Sequence, residues 1–422
     1  MGGECHPRSE ACLYSCGLNS RGQCGLSNSL NTIEQFKLVS DIKNPKKIAC
    51  GGNHSLVIDG DGTLYACGDG SQGQLGLGST ENKNKFTKVS NNVSGSFTNK
   101  NITQIACGQS FSFCVDSSNN IYSCGDNSRG QLGLGSTIDK TKFTKVTNIV
   151  TDINDFYITT NTTKIDNIVK ISCGSFHTLL ILTGSTNNIG NNSVYSCGNN
   201  DDGQLGLVIP EENNTNSDYN TFAKVPNSEY FTNEYIKDIS CGALHSLFCN
   251  SNELYGAGSH NKGQLGLGEG SVGSYFEFQK ITINTSPQSF IQLSSMSYHN
   301  MILVGDKKIY GCGKSLTNLD EKANKLNLEN ASGEDITTFK QNTYANINTG
   351  SKISTGIEHS LVIAEDGILY STGSNIHNQL GFSGGDANSK LTFSEVPYSD
   401  NFTNEDVSHI SCGGYHSLII VS

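Results

Sequence analysis

Four groups of residues in this chain have types and spacings that could do chemistry. Gly68, Gly70 and Gly73 in "CGDGSQGQLG" make a Gly-x-Gly-x-x-Gly, the turn that brings backbone amides against a pyrophosphate. "GCGKS", Gly311 to Ser315, has the ending of a nucleotide-binding P-loop. His54, His177, His245, His299, His359 and His416 are each a candidate general base or metal ligand. Cys5, His6, Cys12, Cys16 and Cys24 gather donors that suit zinc.

The surrounding sequence withholds what each chemistry requires. A dinucleotide-binding turn opens a helix, but "GLGSTENKNKF" has early breakers and no apolar periodicity. A P-loop needs a glycine five residues before Gly313, where Lys308 stands. The N-terminal cysteines lack paired Cys-x-x-Cys knuckles. The histidines recur at one place in a repeated phrase, with Phe111 in the seventh, whereas a catalytic base needs one copy among specific neighbours. They read as a packing and hydrogen-bonding position. No catalytic, cofactor-binding or metal-binding residue is expected, and the chain is read as a non-enzyme.

The elements that carry these residues are repeats. "LYSCGLNSRGQCGL" from Leu13, "LYACGDGSQGQLGL" from Leu64 and "IYSCGDNSRGQLGL" from Ile121 are copies of one phrase. Its turn glycine falls at Gly17, Gly68, Gly125, Gly198, Gly258, Gly313 and Gly373. The third position of the turn is Gly70 once and Asn, His or Ser otherwise, so the glycines shape a turn and no phosphate is implied. A second phrase alternates with the first: "CGGNHSLVI" from Cys50, "CGQSFSFCV" from Cys107, and on to "CGGYHSLII" from Cys412. Seven copies of each, with 51 to 73 residues between turn glycines, indicate a closed repeat array. Within a unit, "KKIAC", "HSLVID", "TLYACG" and "KFTKVS" read as four short strands, A to D, with Asp59-Gly60-Asp61-Gly62 as the B–C hairpin.

The expected fold is therefore all-β: a single seven-bladed β-propeller of four-stranded antiparallel blades over 13–422, after a short lead-in at 1–12. The chain begins with a C-type strand and finishes with A- and B-type strands, so one composite blade from both ends should close the ring. After Gly313 the turn phrase is lost, with Asp320 and Glu321 in place of Leu-Gly and Leu316, Leu319, Leu326 and Leu328 beyond. A short or displaced outer strand is expected in that unit. The longer hairpin "LTGSTNNIGNNSVY" and the acidic "IPEENNTNSDYN" read as loop insertions, the latter mobile on composition.

Bulk composition narrows the function classes. Net charge is −11 with no basic tail, which argues against direct nucleic-acid binding. No apolar stretch approaches the ~18–20 residues of a membrane span. Fifteen cysteines in a chain whose start is polar read as free thiols in a reducing compartment. Intracellular placement, cytoplasmic or nuclear, and a monomeric state are the accompanying expectations.

The two linked phrases are similar to the repeat of the regulator of chromosome condensation family over about Leu13 to Ser422. The resemblance implies a seven-bladed propeller. It also implies, as one activity, guanine nucleotide exchange on Ran or a related small GTPase, performed with acidic A–B turn residues and a protruding wedge. Here the first variable A–B turn residue is Gly52, Gln109, Ser175, Ala243, Ser297, Ile357 or Gly414, with no acid. The second is Asn53, Ser110, Phe176, Leu244, Tyr298, Glu358 or Tyr415. The fifth residue of the glycine turn varies likewise and includes Arg21, Arg129, Lys262 and His377. A–B and C–D turns emerge on one face of a propeller. Asn53, Phe176, Leu244, Tyr298, Glu358, Tyr415, Arg21, Arg129, Lys262 and His377 are thus the expected partner-binding surface. A non-enzymatic protein-interaction propeller is the leading function, with exchange on a small GTPase as the alternative.

Overall fold

Short apolar runs separated by glycine turns leave each strand two faces to bury, and the chain satisfies both by stacking sheets around a ring. The structure is a computed structural model that describes residues 10–27, 30–91, 97–150, 168–183, 192–207, 218–227, 235–283, 289–314, 335–342, 347, 350–382, 389–397 and 406–422. Blade 1 runs Lys47–Cys50 (A), His54–Ile58 (B), Leu64–Gly68 (C) and Lys83–Lys88 (D). Blade 2 is Ile102–Cys107, Phe111–Asp116, Ile121–Gly125 and Lys140–Lys145; blade 3 is Ile168–Cys173, His177–Thr183, Asn192–Gly198 and Tyr219–Lys224. Blade 4 is Asp238–Cys241, His245–Cys249, Leu254–Ser259 and Ser274–Ile281; blade 5 is Phe290–Met296, His299–Val304, Ile309–Gly313 and Ile336–Gln341. Blade 6 is Gly350–Thr355, His359–Ala364, Leu369–Gly373 and Lys390–Glu395.

Blade 7 is composite. Val407–Cys412 and His416–Val421 supply A and B, and Cys12–Leu18 and Thr32–Leu38 supply C and D. The latch is the antiparallel pairing of Cys12 to Gly17 with Val421 to His416. The all-β, seven-bladed fold closed by both termini is as the sequence implied. Among the described residues no helix is long and apolar enough to cross a membrane.

Register explains why the two phrases travel together. In every blade the signature residue at the start of B lies opposite the turn glycine at the end of C: His54 with Gly68, Phe111 with Gly125, His416 with Gly17. Gly68 has φ +103°, and a Cβ there would stand 2.4 Å from the Asn53 carbonyl oxygen. The following glycines dock the next blade instead. A Cβ on Gly73 would meet Thr141 Cα at 2.7 Å, and one on Gly76 would meet the Phe143 ring at 2.4 Å. The Gly-x-Gly-x-x-Gly is thus a joint between blades.

That joint exposes a signal the sequence reading missed. Every D strand carries one buried phenylalanine: Phe36, Phe86, Phe143, Phe222, Phe278, Phe339 and Phe393. Six of them lie under the turn glycine of the preceding blade, at Gly381, Gly25, Gly76, Gly133, Gly206 and Gly266. Each such ring contributes roughly 1.5–3 kcal/mol of burial, so the joint is a main source of inter-blade cohesion.

The same joint corrects the expectation for the unit that carries Gly313. Its outer strand, Ile336–Gln341, is regular and pairs Tyr310 with Gln341 and Gly313 with Ile336, in the pattern of blade 1. A D strand is seated by the turn of the blade before it, here Gly266 on Phe339, so losing its own turn phrase does not displace it. Asp320, Glu321, Leu316, Leu319, Leu326 and Leu328 lie outside the described residues. The long blade 3 hairpin has seven-residue B and C strands paired out to Thr183 and Asn192. "IPEENNTNSDYN" lies outside the described residues except for its last three positions. Blade 3 also gains an unforeseen fifth strand, Ile149–Val150, parallel to its D strand.

Candidate partner-binding face at the channel mouth

The A–B turns close on one another around the axis. Gly52 N donates to Gln109 O (3.2 Å), Gln109 N to Gly174 O (3.2 Å), Ala243 N to Ser297 O (2.7 Å) and Gly414 N to Gly51 O (3.1 Å). They surround a central cavity of about 520 Å³, lined among others by Cys50, Gln109, Phe176, Ser297, Tyr298 and Ile357. Sequence reasoning passed over the first variable turn position because it lacks acids. The structure makes its residues, Gln109, Ser297 and Ile357 among them, part of the channel wall.

Behind the turns the histidines form a second ring. Each Nε2 reaches the residue after the signature position in the next blade: His416 to Ser55 Oγ (2.8 Å), His54 to Ser112 Oγ (2.8 Å), His177 to Ser246 Oγ (2.9 Å) and His359 to Ser417 Oγ (2.9 Å). Those serines give their single proton backwards, for example Ser112 Oγ to Gln74 O (2.8 Å) and Ser55 Oγ to Gln23 O (2.8 Å). The imidazole therefore donates through Nε2, and complete burial keeps it neutral. His245 reaches the same result independently, because its partner is the acceptor Asn300 Oδ1 (2.7 Å). Burial lowers these pKa values, to about 4 for His54 and His245 and about 3 for His177 and His416. Phe111 fills the position in blade 2 without a polar link. The histidines are packing and hydrogen-bonding groups, as their recurrence implied.

Among the described residues thirteen cysteines are free thiols, and no group of His, Cys, Asp and Glu could hold a metal ion. Burial pushes the thiols up, Cys50 and Cys241 to about 12, which leaves them protonated and unreactive. Cys12, at the first residue of its strand, departs from the free-thiol expectation and is disulfide-bonded.

The A–B and C–D turns do share a face. Asp69 N donates to Asn53 O (2.8 Å), Ser259 N to Leu244 O (2.9 Å), Lys314 N to Tyr298 O (2.8 Å) and Leu18 N to Tyr415 O (2.8 Å). Phe176 is exposed (39%), while Asn53, Leu244, Tyr298, Glu358 and Tyr415 are half-buried. His377 and Tyr415 meet edge to face at 5.0 Å, and the Glu358 carboxylate acts on both rings. Asn53 Oδ1 accepts from Gln23 Nε2 (3.3 Å). Two of the proposed contact cations are already engaged across blade boundaries: Arg129 with Asp218 (3.1 Å) and Asp201 (3.3 Å), Lys262 with Asp335 (3.7 Å). Arg21 is exposed. The face holds apolar residues that the sequence reading did not select. Leu30 (52% exposed), Ile138 (66%), Val272 (78%) and Ile376 (54%) stand in the C–D connections of blades 7, 2, 4 and 6, at the end of the blades where the A–B turns emerge.

Residues 10–58, 61–115, 118–181, 191–249 and 366–420 match the family model described as the regulator of chromosome condensation (RCC1) repeat. The chain belongs to that family. It is similar to the secretion-regulating guanine nucleotide exchange factor of Bos taurus, 37% identical over 126 residues, which is 29% of this chain and 26% of that protein. It is also similar to the X-linked retinitis pigmentosa GTPase regulator of Homo sapiens, 28% identical over 311 residues, 63% of this chain and 28% of that one. The match thus spans only about a quarter of the length of these curated relatives. Among solved structures, Prp20p of Saccharomyces cerevisiae superposes with a TM-score of 0.74 at 18% identity, over 98% of this chain and 92% of that one. Human WBSCR16 superposes at 0.75 and 17% identity, over 98% and 99%. At such identities the likeness is one of fold.

Proposed function

We propose that this propeller is a non-enzymatic interaction module that binds a protein partner through the face formed by its A–B and C–D turns. One observation carries the reading. Of the eight large hydrophobic side chains exposed among the described residues, Leu30, Ile138, Phe176, Val272 and Ile376 stand on that face. Exposed apolar groups gathered on one side of a soluble fold are the usual mark of a partner site. Tyr298 lines the channel mouth between Leu244 and Glu358, on successive blades, and Tyr415 follows on the next.

Replacing Tyr298 and Tyr415 together by Ala is expected to leave the fold intact, since both are half-buried turn residues outside the strands. Affinity for a protein partner of this face should fall by at least ~2 kcal/mol, the loss expected for aromatic anchors. Calorimetric titration of both proteins with a partner recovered by the wild-type chain measures it. Unchanged affinity for every such partner would refute the face.

Guanine nucleotide exchange on a small GTPase is the second reading, favoured by the names of the relatives and by the cluster of Glu358, His377 and Tyr415. A panel of purified GTPases, assayed for accelerated nucleotide release, separates the two. An exchange factor should lose that acceleration on Glu358→Ala; an adaptor has none to lose.

A further inference from the structure

The far end of the channel has a different chemistry. Each A strand places one side chain three residues before the cysteine position of the second phrase: Lys47, Gln104, Lys170, Asp238, Gln292, Lys352 and His409 in blades 1 to 7. These lie on the side of the B–C hairpins, because Lys47 pairs with Ile58 at the end of strand B. Several of them stitch neighbouring blades. Gln104 Nε2 donates to Ile168 O (3.0 Å) and Gln292 Nε2 to Ile353 O (2.9 Å). Lys170 pairs with Asp238, whose other oxygen accepts Leu293 N (2.8 Å), so charge on that side is matched.

The opposite arc is unmatched. Lys352, His409 and Lys47 occupy three consecutive blades at one register. Lys352 Nζ donates to the Ser408 carbonyl and His409 Nδ1 faces Ser408 Oγ (3.2 Å), and neither meets a carboxylate among the described residues. Lys352 and His409 are half-buried and Lys47 is exposed; Asp406, three residues before His409, is exposed as well. In a chain of net charge −11, two ammoniums and an imidazole on three consecutive blades, with no carboxylate partner among the described residues, leave a local positive field that an anion would match.

The geometry points to an anion site here: Lys352, His409 and Lys47 form a seat for a small, multiply charged oxyanion at the hairpin-face end of the channel. The two ammoniums supply charge and the imidazole supplies a directional donor, while the Ser408 hydroxyl is committed to the Ile420 carbonyl. Burial, then Lys352, then Lys47 lower the His409 pKa, which is the response of an imidazole flanked by cations with no anion present.

Inorganic pyrophosphate is the probe, titrated calorimetrically into the full chain at pH 7 and constant ionic strength. Saturable binding is expected. Lys47→Gln should weaken it at least about tenfold, as losing one charge-assisted contact does. Lys47→Gln with Lys352→Gln should abolish it, and Lys170→Gln should leave it unchanged. Bound pyrophosphate should also raise the His409 titration midpoint by NMR, on a signal assigned by its loss in His409→Gln. No saturable binding to the wild type, or equal binding by the doubly substituted chain, overturns the site. If that chain does not fold, Lys47→Gln alone decides, and undiminished affinity there overturns it too.

Discussion

Ending the chain at Ser411 is expected to abolish cooperative folding. The deletion removes Cys412 and strand B of the composite blade, His416–Val421, which pairs with Cys12–Leu18 on one side and Val407–Cys412 on the other. Leu418, Ile419, Ile420 and Val421 are all at most 2% exposed. At roughly 1.5–3 kcal/mol each, their burial matches the ~5–15 kcal/mol net stability of a whole domain. The loss also opens two strand edges and removes the neighbour contacts of blades 6 and 1, where a repeat array has no capping unit to replace them. Circular dichroism on heating and size-exclusion chromatography read the result: no sharp transition, and association of the exposed edges. A cooperative melt within a few degrees of the full chain would show that closure is dispensable.

Acidification should destabilise the full chain well before its carboxylates titrate. His54, His177, His245 and His416 are neutral in the fold, with pKa values lowered to about 4, 3, 4 and 3. In the unfolded chain each binds a proton near 6.5. The stability they contribute is therefore complete above about pH 6.5 and declines as pH falls toward 4 to 3, by up to ~1.4 kcal/mol per group per pH unit. At pH 5 four groups together remove several kcal/mol, comparable to the net stability of a domain. Melting temperature against pH between 7.5 and 4.5 measures this, and a flat profile would contradict the neutral ring. His416→Phe copies what blade 2 does with Phe111 and leaves Ser55 its bond to Gln23 O. It should shallow the slope by about one group's share, ~1.4 kcal/mol per pH unit at most.

Much of this architecture is legible in one pass along the sequence. The glycine phrases, the strand periodicity and the half-units at the two ends are local features, and repetition multiplies a weak signal sevenfold. The recurrence of His followed by Ser, Thr or Asn, and of one Phe per D strand, was equally visible. Both went unread as links because their partners belong to the next blade, roughly one repeat away along the chain.

Blade number, closure and the structural part played by the histidines were determined by the sequence itself, since each follows from residues that recur at fixed local spacing. Only the tertiary structure decided which surface residues remain available. Arg129 and Lys262 look alike as turn cations until Asp218 and Asp335 of the following blades engage them, whereas Leu30, Ile138, Val272 and Ile376 stay exposed. The outer strand after the lost turn is regular, with its Phe339 under Gly266 of the preceding blade rather than under its own turn. The two lysines Lys352 and Lys47 and the imidazole of His409 become neighbours only when the ring closes blade 7 between blades 6 and 1. In a propeller, strand pairing is settled within a blade, but what a side chain touches on either face is settled by another blade.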